Sequence, residues 1–182
     1  MILSSSEKSS LKDNDINLYK FEKFSYSIND LILKANKIEI ISNFKKSKNE
    51  KEKFYFESGI INFKNKDFIA GGTKIKLKKN SYDNSKNDPR IYGVSSNKKG
   101  VITTINKGTF TSCALNENCP PWSISSNKIQ HNSTKKQIIY KDALLKIYDI
   151  PVLYFPKFFH PDPTVKRQSG LLQPQLNNSN IL

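Results

Sequence analysis

Apolar and polar residues alternate in short runs along most of this chain. Residues 73–78 alternate strictly, so Ile75 and Leu77 fall on one face of a strand and three lysines fall on the other. Similar runs, rich in β-branched and aromatic residues, occupy positions 37–40, 54–56, 60–63, 101–105 and 137–140. No window carries a sustained apolar stripe at helical spacing. The pattern therefore predicts an almost entirely β protein.

A four-residue pattern recurs at positions 35–38, 72–75 and 126–129, each time as a small residue, a polar residue, a lysine and an isoleucine. The lysines of successive copies lie 37 and 54 residues apart. A single β-hairpin cannot bury its own apolar face, so similar hairpins are expected to stack around one shared interior. The residues expected to point into it are Ile38, Ile40, Ile75, Leu77 and Ile129.

The length of 182 residues corresponds to one domain. Residues 1–20 are polar and serine-rich and are expected to be a frayed lead-in. The β domain is expected over residues 21–160, with hydrophilic connectors that include positions 79–90 and 95–100. Residues 150–163 combine prolines, which remove ladder donors, with aromatic residues, which require burial. That stretch is expected to be a rigid edge strand or a packed connector.

Composition excludes disorder throughout, because 11% of the residues are aromatic although only 36% are hydrophobic. The net charge of +14 directs attention to an anionic partner. Only Arg90 and Arg167 are arginines, so 28 of the 30 basic residues are lysines. Nucleic-acid-binding proteins favour arginine for bidentate contacts. Lysine, asparagine and isoleucine all have A/T-rich codons, so a biased genome accounts for the charge as readily as a binding face does.

Candidate catalytic and metal-binding chemistry is sparse. The chain has no glycine-rich phosphate loop, no serine elbow and no HExxH motif, so neither an enzyme nor a cofactor is predicted. The two histidines, His131 and His160, stand apart, and no metal site is expected. Residues 160–163 are expected to form a turn. Cys113 and Cys119 are close enough for a local disulfide, with two free thiols as the alternative.

Four motifs occur in the order and approximate spacing of a known family. They are residues 107–113 (KGTFTSC), 122–124 (WSI), 150–156 (IPVLYFP) and 167–174 (RQSGLLQP). Over roughly residues 100–176 the chain resembles the N-terminal periplasmic, OstA-like region of the LptD/OstA family of lipopolysaccharide-assembly proteins. Residues 33–38 resemble the repeating strand of the wider family less specifically.

The resemblance implies a β-jellyroll, open along one side, that shields the acyl chains of lipopolysaccharide and passes them to a C-terminal β-barrel. Residues 161–182 would then be a linker and the start of that barrel, and the chain, which shows no signal peptide, is expected to be a fragment. The implied partners are lipopolysaccharide, a periplasmic bridge protein and, for the full-length protein, a plug lipoprotein. The implied location is the periplasmic face of the outer membrane.

The same resemblance gives the apolar alternation a binding role. The side chains expected to line the lipid-binding interior are Ile38, Ile40, Phe54, Phe56, Ile61, Phe63, Ile75, Leu77 and Ile129. In the family the cysteine at the position of Cys113 forms disulfides to the barrel, and Cys119 departs from the simplest pattern. In the chain alone we expect a bond between Cys113 and Cys119, because thiols oxidise in the periplasm.

Two other classes of function are less well supported. A basic β-module that binds nucleic acid or acidic polysaccharide would place aromatic residues on the lysine face, where bases can stack. In residues 37–40 and 73–78 the apolar and charged residues fall on opposite faces instead, and no nucleic-acid partner is expected. A glycan-processing enzyme would need a pair of carboxylates in a strand context, which the sequence lacks.

Overall fold

The computed structural model describes residues 1–13, 16–46, 51–77, 88–114, 121–162 and 165. These residues form an all-β, antiparallel structure without helices, as the alternation predicts. The eleven strands are β1 (Ile2–Ser5), β2 (Ser9–Asp13), β3 (Asn17–Ser27), β4 (Ile32–Ser42), β5 (Glu52–Asn62), β6 (Asp67–Lys76), β7 (Arg90–Lys99), β8 (Ile102–Thr111), β9 (Trp122–Asn132), β10 (Gln137–Ile147) and β11 (Ile150–Pro161).

All eleven strands belong to one sheet, in which consecutive strands from β3 to β11 are hydrogen-bonded neighbours. The sheet is therefore a stack of hairpins. The short strands β1 and β2 lie end to end along the same edge of β3, and β11 forms the opposite end of the sheet. No pairing joins these two ends within the described residues, so the expected opening along one side is confirmed.

The first twenty residues differ from the expectation of a frayed lead-in. They contain β1, β2 and the start of β3. Most of the side chains in β1 and β2 are exposed, and these strands are held by backbone pairing to β3. A strand that is held by backbone hydrogen bonds and buries few side chains shows no apolar alternation, so the sequence pattern did not predict it.

Contacts between distant strands show that the sheet curls on itself. The ring centroids of Phe110 on β8 and His160 on β11 are 5.0 Å apart. Neighbouring strands are about 4.8 Å apart, so in a flat sheet these two strands would be separated by roughly 14 Å. Tyr19 on β3 similarly reaches Phe63, just beyond β5, at 5.0 Å. The apolar face is therefore the concave, inner face of the curled sheet.

Near the middle of the long strands, a line of residues that interrupts the inward–outward alternation crosses the sheet. On β4 the residues of the inner apolar cluster are Leu33 and Ala35, then Ile38 and Ile40, so the alternation advances by three residues at one point. Pairing to β5 keeps one register on both sides of this point. The same step recurs in the other long strands, and we call the line of outward residues it creates, such as Asn36 and Lys37, the crease.

The crease reveals the true structural repeat. Lys37, Gly72, Lys107 and Asp142 occupy equivalent crease positions on β4, β6, β8 and β10, and all four have positive φ values between 46° and 58°. The interval from 37 to 72, from 72 to 107 and from 107 to 142 is 35 residues each time. The lysine–isoleucine pattern, with its spacings of 37 and 54 residues, therefore does not mark the structural repeat. The repeat lies in the backbone geometry and not in side-chain identity.

Small residues line the inner side of the crease. Gly93 pairs with Gly108, Gly108 with Ser126, and Ser126 with Ala143. A Cβ atom added to Gly93 would lie 2.2 Å from Cγ2 of Ile105. The bend thus leaves little room for side chains on its concave side, which explains why this row consists of small residues.

Candidate functional site

The inner face consists of two apolar clusters that meet at Phe54. The N-terminal cluster lies on β3 to β6 and is built around Tyr19, Phe21, Leu33, Ala35, Ile38, Ile40, Phe56, Ile61, Phe68 and Ala70. The C-terminal cluster contains Ile75, Leu77, Ile91, Ile105, Phe110, Cys113, Trp122, Ile124, Ile129, Ile138, Tyr140 and Ala143. Phe54 packs against both clusters, so the apolar surface is continuous along the roll.

All nine side chains expected in the interior contribute to these clusters. The N-terminal cluster includes Ile38, Ile40, Phe56 and Ile61, and the C-terminal cluster includes Ile75, Leu77 and Ile129. Phe54 and Phe63 are partly buried beside them. On the opposite face the ammonium of Lys74 lies 5.2 Å from the ring centroid of Tyr92. The binding role of the nine residues stays a prediction.

Several aromatic residues of the interior were not predicted as site residues. Phe110 is fully buried and contacts the rings of Trp122, Tyr140 and His160. Tyr140 also stacks on Phe158, with ring centroids 4.6 Å apart and an interplanar angle of 8°. Phe110 and Trp122 lie in the motifs at 107–113 and 122–124, so the sequence carried a signal for them, but the three-residue step at the crease obscures which positions share a face.

The interior is closed in this conformation. Leu33, Ile105, Phe110 and Ile129 have no solvent exposure. The buried hydroxyls of Thr73 and Ser96 are hydrogen-bonded to each other at 2.7 Å. A hydrophobic ligand could therefore enter only if the facing parts of the curled sheet move apart.

The apolar inner face extends to the unpaired end of the sheet at β11. Leu145 packs against the C-terminal cluster, and its partner across the ladder is Leu153, which is 50% exposed. Opposite cross-strand partners share a face. Leu153 therefore extends the apolar surface from the closed interior to the open side of the roll.

A polar network closes one end of the C-terminal cluster. His131 bonds to Asp162, and His160 receives the hydroxyl hydrogen bond of Tyr140 at 2.8 Å. The other ring nitrogen, Nδ1, donates to the carbonyl of Pro161 at 2.7 Å, so the neutral ring carries its proton there. Burial lowers the pKa of His160 below its usual value of 6.5, against the smaller raising effects of Pro161 and Asp162. His160 is the penultimate residue of β11 (Ile150–Pro161) and does not lie in the expected turn.

Cys113 is buried beside Trp122 at the end of the C-terminal cluster. Its Sγ lies 3.5 Å from the carbonyl oxygen of Trp122, and its own carbonyl accepts a hydrogen bond from the buried guanidinium of Arg90. Cys119 lies outside the described residues, so its pairing with Cys113 stays a prediction. Residues 167–174, the last of the four motifs, also lie outside them.

Two kinds of site are absent from the described ranges. No group of three or more histidine, cysteine, aspartate or glutamate residues there is arranged to hold a metal ion. No helix in that part of the chain is long and apolar enough to cross a membrane.

Comparisons with curated proteins find relatives named LPS-assembly protein LptD. The protein from Acinetobacter baumannii is 33% identical over 79 residues, which is 43% of this chain and 9% of that protein. The protein from Legionella pneumophila is 34% identical over 77 residues, or 42% of this chain and 9% of its own length. The protein from Polaromonas sp. is 30% identical over 81 residues, or 43% and 10%.

The matched stretch is thus only about a tenth of the length of these relatives. No protein-family model matches the chain. The resemblance inferred from the four motifs is nevertheless confirmed by these relatives, and the chain is consistent with an N-terminal domain fragment of such a protein.

Proposed function

We propose, from this similarity to LPS-assembly protein LptD, that the chain takes part in lipopolysaccharide transport by holding the acyl chains against its inner face. The observation that supports the proposal best is the continuous apolar surface from the N-terminal cluster, through Phe54, to Leu153 at the open side. No catalysis is required for this role, because transfer along such a surface breaks no covalent bond.

The energetics favour an interior that opens for its ligand. Burying one methylene is worth about 0.8 kcal/mol, so an acyl chain of about twelve carbons gains on the order of 10 kcal/mol. Among the described strands, the two ends of the sheet share no ladder hydrogen bonds, so moving these ends apart breaks no backbone pairing between them. The chief cost of opening is exposure of inner side chains, which the acyl chains then cover.

The phosphates of the lipid would remain outside the interior. A net charge of +14 provides lysines near any rim at which a phosphorylated head group lies. The acyl chains and the head group would thus contact opposite faces of strands in which apolar and charged residues alternate.

The unpaired ends of the sheet also suit the partners that the proposal requires. An exposed strand edge can accept a strand from another protein and continue the sheet. A periplasmic bridge protein would extend the apolar surface in this way at one end. In the full-length protein the other end would deliver lipid to a β-barrel with its plug lipoprotein, at the periplasmic face of the outer membrane.

Binding of intact and deacylated lipopolysaccharide tests this function. The purified chain is titrated with each form, and both forms retain their phosphates. Loss of the acyl chains should weaken binding by at least 100-fold, because each chain contributes several kcal/mol. Equal binding of the two forms would show that charge attraction alone holds the lipid and would contradict the proposal.

A further inference from the structure

The outer face of the last four strands carries a row of lysines along the crease. Lys141 on β10 is the direct cross-strand partner of both Lys128 on β9 and Lys157 on β11. Lys128 pairs in turn with Asn106, whose neighbour on β8 is Lys107. We call Lys107, Lys128, Lys141 and Lys157 the lysine row. Like charges directly opposite one another destabilise a sheet, so this arrangement carries a cost in the isolated chain.

The lysine row lacks neutralising partners among the described carboxylates. None of its ammonium groups forms an ion pair with them, and the nearby Asp142 accepts a hydrogen bond from the hydroxyl of Tyr154 at 3.0 Å. The outer face of the N-terminal half is different. There Glu22 pairs with Lys37 at 2.9 Å, and Glu39 lies 3.5 and 3.7 Å from two lysines. Among the described residues, the four lysines of the row therefore have no ion pair with a carboxylate, whereas Lys20, Lys37 and Lys53 of the N-terminal half each have one.

Exposed apolar pairs flank the lysines on this same face. Ile139 pairs with Phe159 on one side of Lys141, and Leu144 pairs with Tyr154 on the other. Phe159 is 43% exposed, Leu144 37% and Tyr154 53%. The outer face of β10 and β11 thus alternates an apolar pair, a lysine pair and a second apolar pair. This differs from residues 37–40 and 73–78, where charged and apolar residues lie on opposite faces.

We infer that the outer face of β8 to β11 docks on the surface of a phospholipid bilayer that contains anionic lipids. The phosphates of such a surface would neutralise the lysine row, and each lysine near an anionic leaflet adds measurably to the affinity. Tyrosine, with an apolar ring and a polar hydroxyl, suits the boundary between head groups and acyl chains. This site lies on the face opposite the apolar interior and does not depend on lipid binding there.

A nucleic acid fits this surface less well. The lysine row contains no arginine for bidentate contacts. Phe159 and Tyr154 could each stack on a base, but their pair partners Ile139 and Leu144 are aliphatic and could not. Aliphatic side chains beside lysines are suited to shallow burial among lipid acyl chains. An oligonucleotide is therefore the competitor in the test.

Vesicle flotation with the complete 182-residue chain tests the inference. One set of vesicles contains phosphatidylcholine alone, and the other contains in addition about one third phosphatidylglycerol. The chain should float with the anionic vesicles and not with the neutral ones. The double variant Lys141→Gln/Lys157→Gln should bind the anionic vesicles roughly 30-fold more weakly, from the contribution expected of two lysines near the surface.

Two further variants separate a specific face from general attraction. Lys34→Gln/Lys64→Gln removes the same charge from exposed positions in the N-terminal half, and its affinity should stay within about threefold of the unchanged chain. Leu144→Ser/Tyr154→Ser keeps every lysine and should still weaken vesicle binding about tenfold or more. Thermal melts should show no loss of stability in any variant, because the altered side chains are on the surface, and Lys141→Gln/Lys157→Gln should melt slightly higher because it removes facing like charges.

Several outcomes would overturn the inference. Equal losses of vesicle affinity in the two lysine variants, or unchanged binding of Leu144→Ser/Tyr154→Ser, would show that this face is not specific. Flotation with neutral vesicles alone, or no flotation at all, would show that the chain does not bind anionic bilayers. Displacement from the vesicles by a single-stranded oligonucleotide at lower concentration than the lipid would instead assign the face to nucleic acid.

Discussion

Replacing Gly93 by alanine tests the account of the crease. The added Cβ would lie 2.2 Å from Cγ2 of Ile105, more than 1 Å closer than an ordinary carbon–carbon contact of about 3.5 Å. Ile105 is fully buried and branched at Cβ, so it cannot move aside by a simple change of rotamer. The adjacent strand must shift, or the side chain must leave its preferred geometry.

The magnitude follows from two opposing effects. Overpacking a core costs about 1–3 kcal/mol, whereas replacing glycine by alanine at a compatible backbone position gains about 0.4–1 kcal/mol through the unfolded state. We expect Gly93→Ala to lower the free energy of unfolding by about 1–2 kcal/mol. For a chain of this size the melting temperature should fall by roughly 2–8 °C.

Gly71→Ala is the matched control. Its added Cβ would meet only the Oγ of Ser58, at 3.7 Å, which is an ordinary contact. Urea unfolding followed by circular dichroism should show Gly71→Ala as stable as the unchanged chain or slightly more so. A Gly93→Ala variant as stable as Gly71→Ala would refute the crowding of the inner crease.

Three other changes probe the core, the histidine network and the cysteines. Phe110→Ala should cost about 3–5 kcal/mol in urea unfolding, whereas Ile69→Ala, at a position that is 67% exposed, should cost less than about 0.5 kcal/mol. Burial lowers the pKa of His160 below 6.5, so as the pH falls the unfolded chain binds this proton before the folded chain does. The free energy of unfolding should therefore decrease as the pH falls from about 7 to about 5. His160→Phe should flatten this decrease, and an unchanged slope would contradict the role of His160. If the local disulfide forms, the denatured, unreduced chain should not react with a maleimide-polyethylene glycol reagent, and it should react after reduction. Cys113→Ser should react at Cys119 without reduction, and reaction of the unreduced, unchanged chain would disprove the local disulfide.

The strand faces could be predicted wherever a run lies wholly on one side of the crease. Ile38 and Ile40 share one such run, and Ile75 and Leu77 share another, so simple alternation identified all four as inward. Ile105 and Phe110 are five positions apart, an odd spacing that places residues on opposite faces of a regular strand. They share the inner face only because the crease intervenes.

Long-range pairing accounts for the other errors. Residues 95–100 were expected to be a hydrophilic connector, yet positions 95–99 belong to β7, where the buried Ser96 bonds to Thr73 on β6. A hydroxyl satisfied by a partner 23 residues away has the same appearance in the sequence as one in a loop. His131 and His160 likewise stand apart in the chain, and only the β9–β10–β11 register brings both to one end of the core.

Site-specific photo-crosslinking tests the central proposal of acyl-chain binding most directly. A benzophenone side chain is placed at Phe56 or Leu77 on the inner face, and at Ile69 or Lys76 on the outer face. Ile69 is apolar but outward, so it controls for hydrophobicity alone. After irradiation with lipopolysaccharide, adducts should form at the two inner positions and be absent at the two outer ones. Equal capture on both faces, or capture at Ile69 and Lys76 alone, would contradict binding in the interior.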